Sequence, residues 1–396
     1  MIKRYISIAC ISIFLIAMVA IFSKNHIFEA KTDNEVVEVT LSAKENYEQA
    51  LAKGADVCFW YDDDTYQAYL EEAAIAFFEK HGITVELRYV DAVDYVGSIY
   101  DATMANEAFP DAYLLSGEEL EKAYLYGVAG PNAAPEAYKG IVAEHAVEAS
   151  YYRDVCYGYP LSYNVGLFAY NSQFFTEKPV SLQAIIDYSD DNEPTENVEY
   201  LLEWDAYDPF LGFPFISESV TFHKTEAEVL DVIYDEATLE SSLLFLEESL
   251  ESFSMPIETV TEESVIRDVL NGTTLCAIID ADSLKELAVA VDYEVMEFPN
   301  LNDELPARAA ALTDMIVVND YTKNAEEASA FAKYITLEYG VHLWEMTGHY
   351  SVQLSENADE WEQIAYRAYE NAVLVPDSQD AAGFWIDLKE MITQYF

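Results

Sequence analysis

Positive charge is scarce in this sequence. Lysine and arginine together number 20 against 73 aspartates and glutamates, which gives a formal net charge of -53 at pH 7. A surface with this balance repels phosphate groups over its whole area. The composition therefore excludes nucleic acid as a partner and also excludes binding to an anionic membrane surface through charge.

Sequence signatures of catalysis are missing as well. The six histidines are scattered, and the chain contains no HExxH pair, no G-x-S-x-G nucleophile elbow and no glycine-rich phosphate loop. Carboxylate pairs of the kind that glycosidases use carry no information where acids are this frequent. We therefore expect no enzyme, no cofactor and no metal, and a glycoside-active enzyme is the less favoured alternative.

Cysteine is rare. Beyond Cys10 the chain has only Cys58, Cys156 and Cys276, each in or beside an apolar, strand-like stretch and none at metal-ligand spacing. An odd number of cysteines cannot pair completely within one chain. We interpret them as buried free thiols that act as small hydrophobic side chains.

The N-terminus carries a long uncharged apolar run. Residues 5–22 follow Lys3 and Arg4 and contain no charge, and a helix of that length measures about 27 Å, close to the roughly 30 Å hydrocarbon thickness of a bilayer. Residues 1–30 are predicted to be a signal peptide or an uncleaved signal anchor, with a lipid on Cys10 as the least favoured alternative. The rest of the chain is then expected at the extracellular face of the cell membrane, anchored or secreted.

The remaining chain has the composition of a folded α/β protein. Residues 31–54 are polar and are predicted to be a tether, whereas the chain as a whole is 52% hydrophobic and, at 396 residues, long enough for two cores. From residue 55 onward, short strand patterns alternate with amphipathic helix patterns, as in the helix through residues 66–78. This alternation predicts a mostly parallel sheet covered by helices.

One stretch, residues 157–171, is almost continuously apolar and aromatic. Such a run is typical of a strand that is buried on both faces of a sheet. Its polar interruption, residues 162–164, predicts the point where the chain crosses between two lobes and faces a cleft. Taken alone, the stretch is equally compatible with an ordinary core strand of a single domain.

Several loose motifs follow one another in a recognisable order. With these motifs, the chain from about residue 55 to residue 396 resembles the extracellular solute-binding proteins of ABC importers, family 1, the branch that includes maltose-binding protein. The motifs are Trp60 before a polar loop, Phe109-Pro-Asp111, Gly158-Tyr-Pro160 through Tyr170-Asn171, Val269-Leu-Asn-Gly272, Asn324-Ala-Glu-Glu327 and Phe384-Trp385.

The resemblance implies two α/β lobes joined by a hinge, with a ligand cleft between them and the N-terminal apolar helix ahead of them. Lobe 1 is then expected over residues 55–163 and 310–347, and lobe 2 over residues 164–309 and 348–396. It further implies a monomer that captures a small solute, with a mono- or oligosaccharide favoured, by hinge closure and delivers it to an ABC permease. A polyamine or another cationic solute is the alternative.

The resemblance and the strand-end positions together give a set of candidate ligand-binding residues. Aromatic faces stack on sugar rings, while carboxylates and amides accept hydrogen bonds from hydroxyl groups. Core packing of the aromatics, a solvated acidic loop and a helix N-cap at Asp280 or Asp282 are the competing interpretations. Leu115 stands where related sugar binders carry an aromatic residue, so the solute is left open. The candidates are Tyr61, Asp62, Asp63, Asp64, Glu118, Tyr163, Asn164, Tyr207, Phe210, Phe213, Asp280 and Trp385.

Overall fold

The computed structural model describes most of the chain after the N-terminal segment, namely residues 43–194, 196–224, 230–255, 257–355, 357–375 and 379–395. The predicted signal peptide or anchor, residues 1–30, and most of the predicted tether lie outside the described residues. Within those ranges, none of the helices has the length and apolar character needed to cross a bilayer.

The strands alternate with helices along most of the chain. The strands are β1 (Val57–Tyr61), β2 (Val85–Tyr89), β3 (Ala112–Ser116), β4 (Ala129–Gly130), β5 (Tyr151–Tyr152), β6 (Val155–Cys156), β7 (Gly158–Asn171), β8 (Tyr200–Glu203), β9 (Val220–Lys224), β10 (Leu230–Tyr234), β11 (Thr274–Asp280), β12 (Tyr293–Met296), β13 (Ala310–Asn319), β14 (Tyr350–Ser351) and β15 (Val373–Leu374).

The helices vary from single turns to five turns. They are α1 (residues 43–51), α2 (Gln67–His81), α3 (Tyr95–Ala105), α4 (Leu120–Leu125), α5 (Glu144–Ala149), α6 (Leu182–Asp191), α7 (Pro209–Gly212), α8 (Glu236–Phe253), α9 (Glu262–Asn271), α10 (Leu284–Leu287), α11 (Ala325–Lys333), α12 (Leu343–Thr347), α13 (Glu360–Asn371) and α14 (Gln379–Thr393). Short 3-10 turns include Asp64–Tyr66 and Gly117–Glu119.

The main sheet has the strand order β2-β1-β3-β13-β7-β11-β8. It is mixed, and the prediction of a mostly parallel sheet is wrong at its centre. β1 is parallel to β3 and β11 is parallel to β8, but β13 is antiparallel to both β3 and β7, and β7 is antiparallel to β11. Residues 297–309, which lead into β13, are not helical, and parallel pairing needs a long crossover that is usually a helix.

The central strand β7 is buried at every position except Asn164 and Asn171, as its apolar sequence predicts. β7 pairs with β13 up to Val165 and with β11 from Gly166 onward, so it serves two sections of the sheet. Its pairing with β13 is interrupted by a register shift, because Ser162 lies opposite Asp314 while Pro160 lies opposite the next residue of β13. Such a β-bulge changes the direction of nearby side chains.

The core against β1, β3 and β13 is aromatic and aliphatic. It includes Trp60, Tyr113, Leu115 and Val317, with Ile99 contributed by α3.

The three described cysteines are free thiols; Cys156 and Cys276 are buried, and Cys58 is half-buried. Burial raises the pKa of Cys58 to about 11 and that of Cys156 to about 12. Both side chains are therefore thiols and not thiolates at neutral pH, which agrees with a role as small hydrophobic residues.

The described residues divide into two compact units. The small unit consists of residues 43–55 and 74–85, where the Tyr47 hydroxyl donates a hydrogen bond to the Val85 carbonyl and the Tyr47 ring packs edge-on against Phe78 at 5.7 Å. The large unit, residues 56–73 and 86–395, contains all the candidate site residues.

Candidate functional site

Polar side chains meet where three neighbouring strands lie side by side. Asp314 on β13 is paired with Ser116 at the end of β3 and with Ser162 on β7. The bulge at this point of the β13–β7 pairing directs Ser162 towards Asp314, and the Ser162 hydroxyl donates to Asp314 Oδ2 at 3.2 Å. We call this group of strand residues the polar floor.

Tyr66 completes the polar floor from the 3-10 turn that follows β1. Its side chain is fully buried, and its hydroxyl donates to Asp314 Oδ2 at 2.8 Å and lies 2.7 Å from Ser162 Oγ. Burial raises the pKa of Asp314, although the Tyr66 hydrogen bond and the charge of His349 act in the opposite direction. A negative charge on Asp314 therefore depends on these few partners for its solvation.

His349, just before β14, lies beside the polar floor. Its ring stacks on the Tyr66 ring, with the centroids 4.6 Å apart and the planes at 10°. Its Nδ1 is 2.8 Å from Asp282 Oδ1 and its Nε2 is 2.7 Å from Thr65 Oγ1. The sequence gives His349 no motif, and its only signal was its place beside residue 348, where the expected second segment of lobe 1 ends and lobe 2 resumes.

Sequence reasoning also missed most of the polar floor and the two residues beside it, Thr65 and His349. It selected the stretch around residues 162–164 but not the face of the strand, and it did not pair that stretch with β13. The residues missed are Thr65, Tyr66, Ser162, Asp314 and His349, while Asp282 was considered only at lower weight.

Two predicted residues, Asn164 and Asp280, are brought together by the structure. Asn164 Nδ2 donates to Asp280 Oδ2 at 2.8 Å, and Asn164 Oδ1 accepts from the Ala281 backbone N–H at 3.0 Å. Asp280 Oδ1 also accepts from the N–H and the hydroxyl of Ser283. These bonds hold the loop that follows β11, and the N-cap position of α10 is Ser283 rather than Asp280.

A second predicted pair joins the C-terminal helix to the end of β3. Trp385 Nε1 donates to Glu118 Oε1 at 2.5 Å, and the Trp385 ring lies 6.5 Å from Phe210 and 6.3 Å from Phe213. Burial raises the pKa of Glu118, whereas the Trp385 hydrogen bond lowers it. We call the rings of Trp385, Phe210 and Phe213 the aromatic wall. Together with the Glu118 carboxylate it provides the two kinds of group that recognition of a sugar requires.

The acidic loop after β1 has three carboxylates in different roles. Partial burial raises the pKa of Asp62 to about 6, and the negative charges of Glu119 and Asp314 add to this shift. Asp63 accepts hydrogen bonds from the N–H and the hydroxyl of Thr65. Asp64 is exposed at the start of the 3-10 turn.

Two candidate tyrosines lie at either side of this region. Tyr61, at the end of β1, is only 4% exposed and its ring packs against Tyr89 at 5.6 Å. Tyr207 is 41% exposed and carries the Lys389 ammonium 5.6 Å from its ring centre. Of the two, only Tyr207 has an exposed ring, and Lys389 lies against one of its faces.

The structure places two other candidates in the core. Tyr163 is 2% exposed and stacks on Tyr369 at 4.4 Å and on Tyr350 at 6.0 Å. Phe213 is fully buried. The reason for Tyr163 is the two-residue period of a strand, which sends its side chain to the face opposite to that of Ser162. Core packing, the competing interpretation, therefore describes both residues.

Thr65, His349 and Asp282 follow the order of a nucleophile, a base and an orienting acid. The hydrogen bonds run in the wrong direction for that chemistry, because the Thr65 hydroxyl donates to Asp63 Oδ1 at 2.6 Å. While that bond is made, the Thr65 oxygen can only accept from His349 Nε2, and the Thr65 proton points to Asp63 rather than to His349. The arrangement distributes charge and hydrogen bonds, which suits binding.

The comparison with known proteins rests on structure. No protein-family model matches the sequence, and no curated protein is similar to it. The extracellular solute-binding protein from Staphylococcus aureus in complex with maltose has a TM-score of 0.73 and 16% sequence identity, covering 86% of this chain and 92% of that one. A cyclo/maltodextrin-binding protein with maltotetraose gives 0.73 and 18%, covering 86% and 92%.

The maltotriose-binding protein of Thermus thermophilus, bound to maltotriose, is a third similar structure. Its TM-score is 0.68 and its identity is 18%, over 86% of this chain and 93% of that one. Identities this low establish the fold and leave the ligand open. The predicted two-lobed α/β fold is confirmed: this chain has the fold of these maltose- and maltodextrin-binding proteins, while the predicted N-terminal apolar helix lies outside the described residues.

Proposed function

We propose that this protein is the extracellular substrate-binding protein of an ABC transporter, and that it binds a mono- or oligosaccharide. The observation that carries the proposal is the contact between Trp385 and Glu118, which places an indole ring, a carboxylate and Phe210 at one site. The structural neighbours named above were solved with maltose, maltotetraose or maltotriose, which supports a sugar.

The site chemistry supports a sugar for a physical reason. The C–H faces of a sugar ring are apolar and stack on aromatic rings, whereas its hydroxyl groups need acceptors at the rim. We propose that the solute contacts the candidates that are at least partly exposed, the buried Phe210 beside Trp385, and the ends of β1, β3 and β11. These residues are Asp62, Asp63, Asp64, Glu118, Asn164, Tyr207, Phe210, Asp280 and Trp385.

Capture by hinge closure is part of the proposal. We assign lobe 1 to residues 55–163 and 310–347 and lobe 2 to residues 164–309 and 348–396. The change of partner along β7, from β13 at Val165 to β11 at Gly166, supports a boundary at that point. A solute that contacts both lobes binds the closed state more tightly and so shifts the population towards it.

Delivery to a permease and the location outside the cell extend the same proposal. The apolar segment at residues 1–30 would export the chain or tether it to the membrane, and the folded part would act as a monomer that passes its solute to the permease. A cleaved signal peptide and an uncleaved anchor are both consistent with this role.

A cationic solute such as a polyamine is the second candidate. Burial and neighbouring negative charges raise the pKa of Asp62, Glu118 and Asp314. Mutual repulsion of this kind is relieved when a positive charge binds between the carboxylates. This observation favours a cation, while the aromatic wall at Trp385 suits either class of solute.

A thermal-shift panel on the full chain tests both candidates. The panel contains maltose, maltotriose, spermidine and neutral amino acids, and a ligand present at 100 times its dissociation constant stabilises the protein by about 2.7 kcal/mol. We expect maltotriose or maltose to raise the melting temperature. If spermidine raises it and the sugars do not, the carbohydrate proposal is wrong and the cationic candidate replaces it.

A variant and a matched control locate the site. Trp385→Ala should remove the ligand-induced shift in melting temperature. The substitution removes both the ring on which the solute stacks and the hydrogen-bond donor of Glu118. Tyr321→Ala removes an aromatic side chain that is 52% exposed and lies outside the proposed site, so its shift should equal that of the wild type. An unchanged shift in Trp385→Ala would place the solute elsewhere.

A further inference from the structure

His349 connects parts of the chain that are distant in sequence. It contacts Thr65, in the turn after β1, and Asp282, in the loop after β11, over sequence separations of 284 and 67 residues. Its side chain is only 12% exposed. In the proposed lobe assignment, Thr65 belongs to lobe 1 and Asp282 to lobe 2, so one ring bridges the two lobes.

The hydrogen bonds around His349 determine its protonation. Asp63 Oδ1 accepts from the Thr65 hydroxyl at 2.6 Å, and while that bond is made the Thr65 oxygen can only accept from His349 Nε2–H. On the other side, Asp282 Oδ1 lies 2.8 Å from Nδ1, and an ionised carboxylate only accepts. A histidine that donates from both ring nitrogens is the imidazolium cation.

The surroundings of His349 are strongly acidic. Burial alone would lower the pKa of His349, but the hydrogen bond and charge of Asp282, with the charges of Asp314 and Asp63, raise it. Burial in turn raises the pKa of Asp282 to about 6, although His349 opposes this. The titratable and charged side chains on the elements packed around His349 are Asp63, Tyr66, Glu262, Asp280, Asp282, Lys285, Asp314 and Glu345.

The one lysine in this set does not replace His349. Lys285 on α10 packs its stem near Gly348, but its ammonium donates to the backbone carbonyl of Glu345 at 3.0 Å. His349 is therefore the cation that the polar floor and the two loops share.

We propose that His349 is a charged link between the loop after β1 and the loop after β11, and that its ionisation controls how firmly the two loops are held together. Only one consequence of the link rests on the proposed function, namely that the solute binds more tightly while His349 is protonated. A neutral ring has a single N–H, so it loses one of its two donated bonds and leaves Asp282, Asp314 and Asp63 without a counter-charge.

The sign of the pH effect follows from the raised pKa. A histidine whose pKa is higher in the folded protein than in the unfolded chain stabilises the fold fully below its unfolded value of about 6.5. That stabilisation is lost as the pH rises through the folded value. The link should therefore weaken as the pH rises above 6.5 and through the folded pKa of His349.

Proton NMR titration of the histidine rings in the full chain tests the link directly. His349→Gln assigns the signal, and the exposed His342 provides an internal comparison. We expect the pKa of His349 to lie above 6.5, and Asp282→Asn to lower it by about one unit or more, since a charge partner at this distance shifts a pKa by about 1–3 units. A His349 pKa below 6.5 in the wild type overturns the proposal.

Thermal unfolding between pH 6.5 and pH 9, without solute, provides a second readout. The melting temperature of the wild type and of His342→Gln should fall as the pH rises, and that of His349→Gln should fall less. Equal slopes in His349→Gln and the wild type contradict the proposal. The NMR titration uses the wild type, so it still decides the question if His349→Gln does not fold.

Maltotriose binding measured at pH 7 and pH 9 separates this proposal from the proposed function. We expect the dissociation constant to rise with pH in the wild type and to be nearly constant in His349→Gln. If maltotriose does not bind at either pH, the sugar proposal fails, while the titration and unfolding results still decide whether His349 is the charged link.

Discussion

Ser162 and Tyr163 are neighbours on β7, yet their side chains lie in two different environments. Ser162 joins the polar floor with Tyr66 and Asp314, whereas Tyr163 is packed among the rings of Tyr350, Tyr366 and Tyr369. The alternation of side chains along a strand separates the two environments by a single residue.

Two buried tyrosines represent these environments. Tyr66 and Tyr163 are 0% and 2% exposed, but the Tyr66 hydroxyl has two partners while the buried Tyr163 hydroxyl has none within the described part of the chain. The same side chain therefore serves as a hydrogen-bond donor in one place and as a space-filling ring in the other. Substitutions that remove the ring or only the hydroxyl distinguish the two roles.

The largest effect is expected from removing the ring of Tyr163. Tyr163→Ala should lower the free energy of unfolding by about 3–5 kcal/mol, because it leaves a cavity between stacked rings. Urea unfolding measures this change, with Tyr321→Ala as an exposed control that should stay within about 0.5 kcal/mol of the wild type. A loss below 1 kcal/mol would mean that the stack around Tyr163 does not support the core.

A smaller loss is expected at Tyr66 when only the hydroxyl is removed. Tyr66→Phe should cost about 1–3 kcal/mol, because Asp314 loses a donor and its buried charge is less well solvated. The phenylalanine ring still stacks on His349, so the loss reports the hydroxyl alone. Urea unfolding near pH 7 measures it, and a variant as stable as the wild type would show that Ser162 and His349 suffice for Asp314.

The smallest effect is expected from the same substitution at the other tyrosine. Tyr163→Phe removes a buried hydroxyl without a partner, so the stability should be unchanged or should increase by less than about 1 kcal/mol. Its affinity for the solute found in the thermal-shift panel should equal that of the wild type. A marked loss of affinity would return Tyr163 to the binding site.

Much of the fold follows from local patterns in the sequence. The apolar run at residues 157–171 predicts β7, which spans Gly158–Asn171, and helical spacing of apolar residues predicts α2. The parallel sheet was predicted from the alternation of helices and strands, and this prediction is wrong at β13. The direction of a strand depends on the connection between strands rather than on their composition.

The candidate site was predictable in part. Trp385 and Glu118 were selected separately, as were Asn164 and Asp280, and the structure joins each pair by a hydrogen bond. The sequence contained no sign of either pairing, because a side chain gives no indication of a partner more than 100 residues away. His349 was missed for the same reason, since an isolated histidine is chemically informative only once Asp282 and Thr65 are beside it.

By itself the sequence determined the charge of the protein, the alternation of helices and strands, and the burial of β7. These properties depend on composition and on residues within a few positions of one another. Only the tertiary structure decided that Ser162 rather than Tyr163 faces the polar floor, and that His349 meets Asp282. The reason is physical: a bulge in the pairing of β13 with β7 sets which side chains face each other, and strand register is decided by packing between distant segments.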